Sequence, residues 1–242
     1  MAKTRVGVLF GGRSGEHEVS RVSARAVMAA LDRKKYHVTP ILITRTGDWR
    51  LQGKPLRSVW MTLDRLDVVL PILHGPYGED GTVQGLLEMV GVPYAGAGVL
   101  GSALAMDKEV AKRLFLQAGL PIVPYLSLER RRLESDPAAV AAEVERHLRY
   151  PVFVKPANMG SSVGISKVRR RAELAPALEL AASYDAKLLV EQGVEARELE
   201  CGVLGNDEPI ASIVGEVVSS NEFYDYRAKY VDNASRLFLP AE

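Results

Sequence analysis

The chain reads as an α/β unit built on a parallel sheet, followed by an antiparallel α+β part. Three observations predict this. Residues 5–10 form a short continuous apolar run ending in Gly11-Gly12, the pattern of a parallel strand buried on both faces. Strand-like and helix-like segments then alternate at a spacing that suits parallel strands with right-handed crossovers. Beyond Tyr150 the texture changes to short β-rich runs separated by tight turns.

Taken in order, residues 19–31 carry apolar side chains at helical spacing (Val19, Val22, Ala26, Val27, Ala30, Leu31) and predict an amphipathic helix. Strands follow at 37–44 and 67–73, with a hairpin around Gly47 and Gly53 between them. A helix over 82–90 is closed by Gly91. The small, loose stretch 91–101 marks the first domain boundary. One helix is expected over 102–117, stopping at Gly119. Asp136-Pro137 supplies a cap and a first-turn proline for another through about Leu148. Strands are expected at 152–155, 165–168, 187–192, 198–204 and 210–218, with one helix near 172–182 and Pro176 in its first turns. The charge run 129–134 and the triplet Arg169-Arg170-Arg171 read as solvated faces.

Composition excludes several classes. With 31 Lys+Arg against 30 Asp+Glu the net charge is +1, so the chain is no strongly basic nucleic-acid binder. A single cysteine, Cys201, excludes a disulfide framework and a multi-cysteine zinc site, and suits a reducing compartment. No apolar run approaches the ~20 residues of a membrane helix, and the start, Met1 to Arg5, carries no apolar leader. A cytoplasmic protein without membrane or nucleic-acid partners is expected.

Familiar phosphate and metal signatures fail. Gly11 and Gly12 are followed two positions later by Arg13 and Ser14, which breaks the dinucleotide fingerprint. No phosphate-loop G-K-[ST] occurs, and His17-Glu18 meets Arg21 where a zinc protease needs its second histidine. The strongest positive signal is 152–164, an apolar strand ending in Lys155 that opens into Gly160-Ser161-Ser162-Val163-Gly164. A lysine beside a strand calls for an anionic partner, and a small-residue loop can turn backbone N–H groups onto phosphate. A turn with a snorkelling lysine is the alternative. Lys108 opens a helix, where the dipole disfavours a cation, so an anionic ligand or plain solvation accounts for it. Glu191 and Glu198 flank a strand connection and could take an amino group and sugar hydroxyls, or be surface acids. The loops 11–20 and 73–81 follow neighbouring strands at their carboxyl ends, where open α/β sheets bind ligands.

Five of these segments together carry a resemblance: Phe10-Gly11-Gly12-Arg13-Ser14-Gly15-Glu16-His17-Glu18-Val19-Ser20, the run from His74 to Gly85, Met106-Asp107-Lys108, Val154-Lys155-Pro156 with 160–164, and Tyr224 to Tyr230. In this order and register the chain resembles the D-alanine–D-alanine ligases. The resemblance implies an ATP-grasp fold: an α/β domain at 1–96, a central ATP-grasp domain at 97–192 and the start of a C-terminal ATP-grasp domain at 193–242. It implies that ATP phosphates are met by Lys108 and Lys155, with the Gly160, Ser161, Ser162, Val163, Gly164 loop closing over them. Adenine would meet Glu191, Gln192 and Val194, and the ribose Glu198. Glu16 would hold the ammonium of the first D-alanine and His74 line the same pocket. Ser161 and Tyr230 would join Glu16 in a hydrogen-bonded group, and Lys229 would face the transferring phosphate. Tyr230 goes with amine acceptors in such enzymes.

The implied activity is ATP-dependent joining of two D-alanine molecules through an acylphosphate, for peptidoglycan precursors, by a homodimer using Mg2+ or Mn2+. Arg227 stands where the family often has an acid. The family pattern also continues past the position of Glu242 with the metal ligands, so none is expected within 1–242, and a chain ending there is expected to turn over little. A non-catalytic nucleotide- or amino-acid-binding relative and another ATP-grasp carboxylate–amine ligase are the competing readings.

Overall fold

The computed structural model describes residues 2–219 and 235–242. Its first sheet is built from β1 (Thr4–Gly11), then after α1 (His17–Ala30) β2 (Tyr36–Ile43), β3 (Trp49–Leu51) and β4 (Lys54–Pro55), and after α2 (Val59–Leu63) β5 (Val68–Leu73). The order is β4-β3-β2-β1-β5. β1 runs parallel to both β2 and β5, while β2, β3 and β4 form the expected antiparallel hairpins. The alternation in β1 explains its continuous apolar run: Val6 and Val8 pack with Ala24 of α1 on one face, and Leu9 packs with Ile41, Leu63 and Val69 on the other. α3 (Thr82–Val90) covers the second face through Val83 and Leu87.

The single helix expected over 102–117 is two. α4 (Val99–Met106) stops at Asp107, which takes an extended conformation (φ −78°, ψ 101°) and caps α5 (Lys108–Gln117). Its Oδ1 accepts the N–H groups of Glu109 and Val110, each at 3.1 Å. Helical periodicity continues across the break, so the pattern alone hides it; an aspartate that satisfies two orphan donors wins locally.

Four strands make the next sheet. β6 (Tyr125–Glu129) leads through α6 (Arg130–Ser135) and α7 (Pro137–His147) to β7 (Val152–Pro156) and β8 (Ser166–Val168); a short 3₁₀ turn (Arg171–Glu173) and α8 (Leu174–Tyr184) precede β9 (Lys187–Gln192). All pairings in the order β6-β9-β7-β8 are antiparallel. Val140 and Val144 of α7 and Leu174, Leu178 and Ala181 of α8 bury against Val152, Val154, Leu188 and Val190. β6 and α6 lie where only a solvated charge run was expected from 129 on; of the strand only Leu128 is fully buried, too little apolar signal to mark it.

The remaining strands are β10 (Glu198–Glu200), β11 (Val203–Leu204), β12 (Ile210–Ala211), β13 (Gly215–Val218) and β14 (Arg236–Phe238), in a three-stranded sheet β10-β13-β14 and a two-stranded β11-β12. Each of the two runs expected here is divided. The first breaks at Cys201-Gly202, where Gly202 N–H turns to Ser212 Oγ at 2.9 Å. The second breaks around the same Ser212.

Candidate active site

The sheet of the first core ends in two loops that face each other. After β1, Gly11 adopts φ +89°, and a Cβ there would run into the Ile43 carbonyl, so the close β1–β2 approach requires glycine. The loop expected over 11–20 is shorter than that, because α1 already begins at His17. Ser20, fully buried, accepts the Gly11 N–H at 2.8 Å and donates to the Ile72 carbonyl, tying the ends of β1 and β5 together. Ser14 donates to the His74 carbonyl at 2.7 Å and accepts the Glu16 N–H at 3.2 Å. These bonds hold Glu16, which is 4% exposed, against the loop after β5.

That loop leaves room for it only because residue 75 is glycine. Gly75 has φ +70°, and a Cβ there would stand 2.5 Å from Glu16 Oε2. Glu79 Oε2 accepts the Gly75 N–H at 2.7 Å, and Glu79 Oε1 lies 3.8 Å from His74 Nδ1. His74 Nε2 meets Ser23 Oγ at 3.2 Å. The bond to Glu79 raises the imidazole pKa above its ordinary 6.5 against the opposing effect of burial. Burial pushes Glu79 up, but the bonds from His74 and Gly75 N–H outweigh it and leave the carboxyl below its usual range.

The second core brings its own loop onto this cluster. Gly160 lies with its Cβ direction 3.1 Å from Glu16 Oε2, and Ser161 Oγ donates to Glu16 Oε1 across 145 positions of sequence. Ser161 (φ 49°) and Ser162 (φ 61°) are both in the left-handed region, and Val163 N–H closes the turn on the Gly160 carbonyl at 3.0 Å. Two consecutive non-glycine residues in that region cost on the order of 1–3 kcal/mol each, strain of a kind that gathers at ligand clamps. Gly164 ends the loop at φ +71°.

Two lysines converge beside it. The Lys108 N–H bonds the Ala157 carbonyl at 3.1 Å, and its Nζ donates to Ala157 O at 3.2 Å and to Met159 O. Burial first, and the charge of Lys155 second, bring the Lys108 pKa down to about 8. Lys155 sits on β7 with Val152 and Val154 turned to the core, so its own side chain emerges on the opposite face. The register pairs Phe153 with Glu191, which sets Lys155 diagonally across from that acid. Lys155 Nζ is ion-paired with Glu191 Oε2, and Lys112 Nζ approaches Oε1 at 3.1 Å.

The other expected residues are more dispersed. Gln192 spends its side-chain amide on the Arg149 carbonyl at 2.7 Å and the Pro151 carbonyl at 3.2 Å, and accepts the Arg149 N–H at 2.9 Å. Val194 and Glu198 are exposed, the latter on β10. Lys229 and Tyr230, with Arg227, lie outside the described residues. A 360 Å³ cavity opens at the carboxyl ends of β1, β2 and β5 between Gly12, Trp49, His74 and Leu86. A 490 Å³ cavity lies between Pro76, Asp107, Met159 and Asp185.

Three contributors escaped the sequence reading. Lys112 follows Lys108 by one helical turn, so i,i+4 spacing would have revealed it. Glu79 stands inside the 74–85 motif as the partner of His74. Lys187, on β9, bridges Asp107 Oδ2 at 2.6 Å and Glu109 Oε2 at 3.2 Å and so fastens the start of α5 to the second sheet; nothing in its local pattern marks it.

Known proteins resemble this chain in sequence and in fold. The family model described as "D-ala D-ala ligase N-terminus" matches residues 5–61 and 57–97, and that described as "D-ala D-ala ligase C-terminus" matches 114–242. The D-alanine–D-alanine ligase of Chloroherpeton thalassium is 50% identical, covering 100% of this chain and 75% of that protein. The one from Natranaerobius thermophilus is 46% identical, covering 100% of this chain and 74% of its own length. Among solved structures, the VanG D-Ala:D-Ser ligase from Enterococcus faecalis superposes with a TM-score of 0.84 at 36% identity over 100% of this chain and 77% of that one. The D-alanine–D-alanine ligase from Coxiella burnetii gives 0.80 at 34% identity over 88% and 71%. The fold is therefore that of the ATP-grasp ligases, and the chain belongs to the D-alanine–D-alanine ligase family.

Proposed function

We propose that the protein joins two molecules of D-alanine into D-alanyl-D-alanine, with ATP converted to ADP and phosphate, in the cytoplasm and for peptidoglycan precursors. The observation that carries this reading is the Ser161–Glu16 bond, which closes a flap from one core over a buried carboxylate of the other, beside two lysines. No Lys or Arg pairs with Glu16 among the described residues, and a buried carboxylate without a cation suits the ammonium of an amino acid.

In the chemistry proposed, the carboxylate of the first D-alanine attacks the terminal phosphorus of ATP. ADP departs, and an acylphosphate remains. The amine of the second D-alanine then attacks the acyl carbon, sheds a proton and expels phosphate. The barrier to the first step is the approach of a carboxylate to a polyphosphate of like sign. Lys108 and Lys155 offset it; a charge pair at ~4 Å and an effective dielectric of ~20 is worth about 4 kcal/mol. Glu16 and His74 fix the amino acid, and the Gly160–Gly164 flap keeps water from the acylphosphate. The segment from Glu191 through Gln192 to Val194 would border the adenine and Glu198 the ribose. Tyr230 would join the Glu16–Ser161 pair and Lys229 the transferred phosphate.

The division at 1–96, 97–192 and 193–242 and a homodimeric state belong to the same proposal; the separate cores of the two sheets support the first boundary. Magnesium or manganese would accompany ATP. Among the described residues no group of three or more His, Cys, Asp or Glu is arranged to hold a metal ion.

The test is incubation of the protein, expressed from its complete reading frame, with ATP, magnesium and D-alanine, alone or with D-serine or D-lactate. Equal yields of ADP and D-alanyl-D-alanine by mass spectrometry are expected. Nucleotide binding with no ADP released would favour a binding-only relative. A product built from other substrates would favour a different carboxylate–amine ligase.

A further inference from the structure

We propose that Lys112 is a positioning residue: it holds the charge of Glu191 so that Lys155 is free to leave that carboxylate and take the nucleotide phosphates. The inference rests on the reading of Lys155 as a phosphate ligand and extends it to a residue that touches no substrate.

Glu191 is 8% exposed and lies between two ammonium groups, Lys155 on Oε2 and Lys112 at 3.1 Å from Oε1. The two lysines are held differently. Lys112 is anchored on three sides: Glu191, the Val123 carbonyl at 3.5 Å and the Tyr125 ring, whose centroid is 5.2 Å from Nζ. It is pinned where α5, β6 and β9 meet. Lys155 meets Glu191 and stands 5.9 Å from the Phe153 ring, on the cleft face of β7.

A phosphate that claims Lys155 must draw it away from Glu191. Without a second cation this would leave a carboxylate buried and uncompensated, next to an arriving anion that it repels. With Lys112 fixed on the other oxygen, Glu191 keeps a partner throughout, and the exchange trades one anion for another around Lys155. The direction of the Glu191 pKa agrees: burial raises it, yet Lys155 and Lys112 together leave it below the ordinary carboxylate value. Lys108, whose pKa is lowered by burial first and by the charge of Lys155 second, adds a third ammonium to this group.

The experiment is a double-mutant cycle read by calorimetric titration with ATP, with thermal melting as the fold control. Lys112→Met should weaken ATP binding about tenfold, the effect of ~1.4 kcal/mol, while Lys112→Arg, which keeps the cation, should restore it to within about twofold. In a Glu191→Gln background the same Lys112→Met change should cost less than about twofold, because no carboxylate is left to compete for Lys155. An equal loss in both backgrounds, or none in the first, overturns the proposal. Should Lys112→Met fail to fold, Lys112→Gln enters the same cycle. Lys155→Ala separates the two levels: if it leaves ATP affinity unchanged, the phosphate role itself fails, whereas loss there with no effect of Lys112→Met defeats only the present inference.

Discussion

Raising the pH from 7 to 9 should weaken ATP binding, and the structure says by how much. Lys108 titrates at about 8 in the free protein because it is buried at the start of α5 and faces the charge of Lys155. A polyphosphate would stabilise the ammonium and return its pKa toward the ordinary lysine value of 10.5. The free protein is then about 90% protonated at this site at pH 7 and about 10% at pH 9, while the complex stays charged at both. The affinity should therefore fall about tenfold across the interval, and roughly half a proton should be taken up per ATP bound at pH 8. Titration calorimetry at pH 8 in buffers of different ionisation enthalpy measures that proton directly. Lys108→Met should abolish the uptake. A buffer-independent heat, or an affinity flat from pH 7 to 9, would refute the assignment. Stability should move the other way. Between pH 8 and 10.5 the unfolded chain binds more protons at this lysine than the folded one, so stability rises with pH over that window. The strain released is about 3 kcal/mol, from the same displacement in pKa.

Gly75→Ala would force a left-handed φ of +70° on alanine and drive its Cβ to 2.5 Å from Glu16 Oε2. A loss of ~1–3 kcal/mol is expected, a Tm lower by several degrees, together with a raised KM for D-alanine; an unchanged Tm and KM would show that the loop relaxes freely. Glu79→Gln should lower the His74 pKa toward 6.5, followed by NMR of the ring protons, since the bond to Glu79 is the main cause of its elevation. The stabilisation from that pair is complete below pH 6.5 and disappears as the pH rises through the elevated value, so the variant should flatten that part of the stability curve. An imidazole that titrates identically in both proteins would rule the pairing out.

Much of the architecture is legible from short-range patterns. The apolar run of β1 and the glycines that follow it, the α3 stop at Gly91 and the Asp136 cap at Ala139 N–H (2.9 Å) depend on neighbours in sequence, where periodicity and capping chemistry act. The break at Asp107 is hidden because apolar periodicity runs across it, although the aspartate itself is the cue. β6 is hidden because it draws its stability from β9, about sixty residues later in the chain. In the site, the motif residues Glu16, Ser161, Lys108 and Lys155 stand out by composition and family pattern. Their contacts do not: Glu191 becomes the shared counter-ion of Lys155 through a strand register and of Lys112 through the placement of α5 beside β9, both of which sequence spacing alone leaves undetermined. The bonds from the Gln192 side-chain amide to the carbonyls of Arg149 and Pro151 are equally invisible in its local pattern.

The Ser161–Glu16 bond spans two separately packed cores, with the short helices α4 and α5 lying between them in sequence. Neither residue of that bond belongs to the apolar packing of either core, so under the proposed chemistry its opening would interrupt the reaction with both cores still packed. Substitutions at exposed positions of α4 such as Leu100 and Ala105, away from the Asp107 cap, should accordingly act like a change of hinge setting, dulling turnover in molecules whose calorimetric profile is untouched.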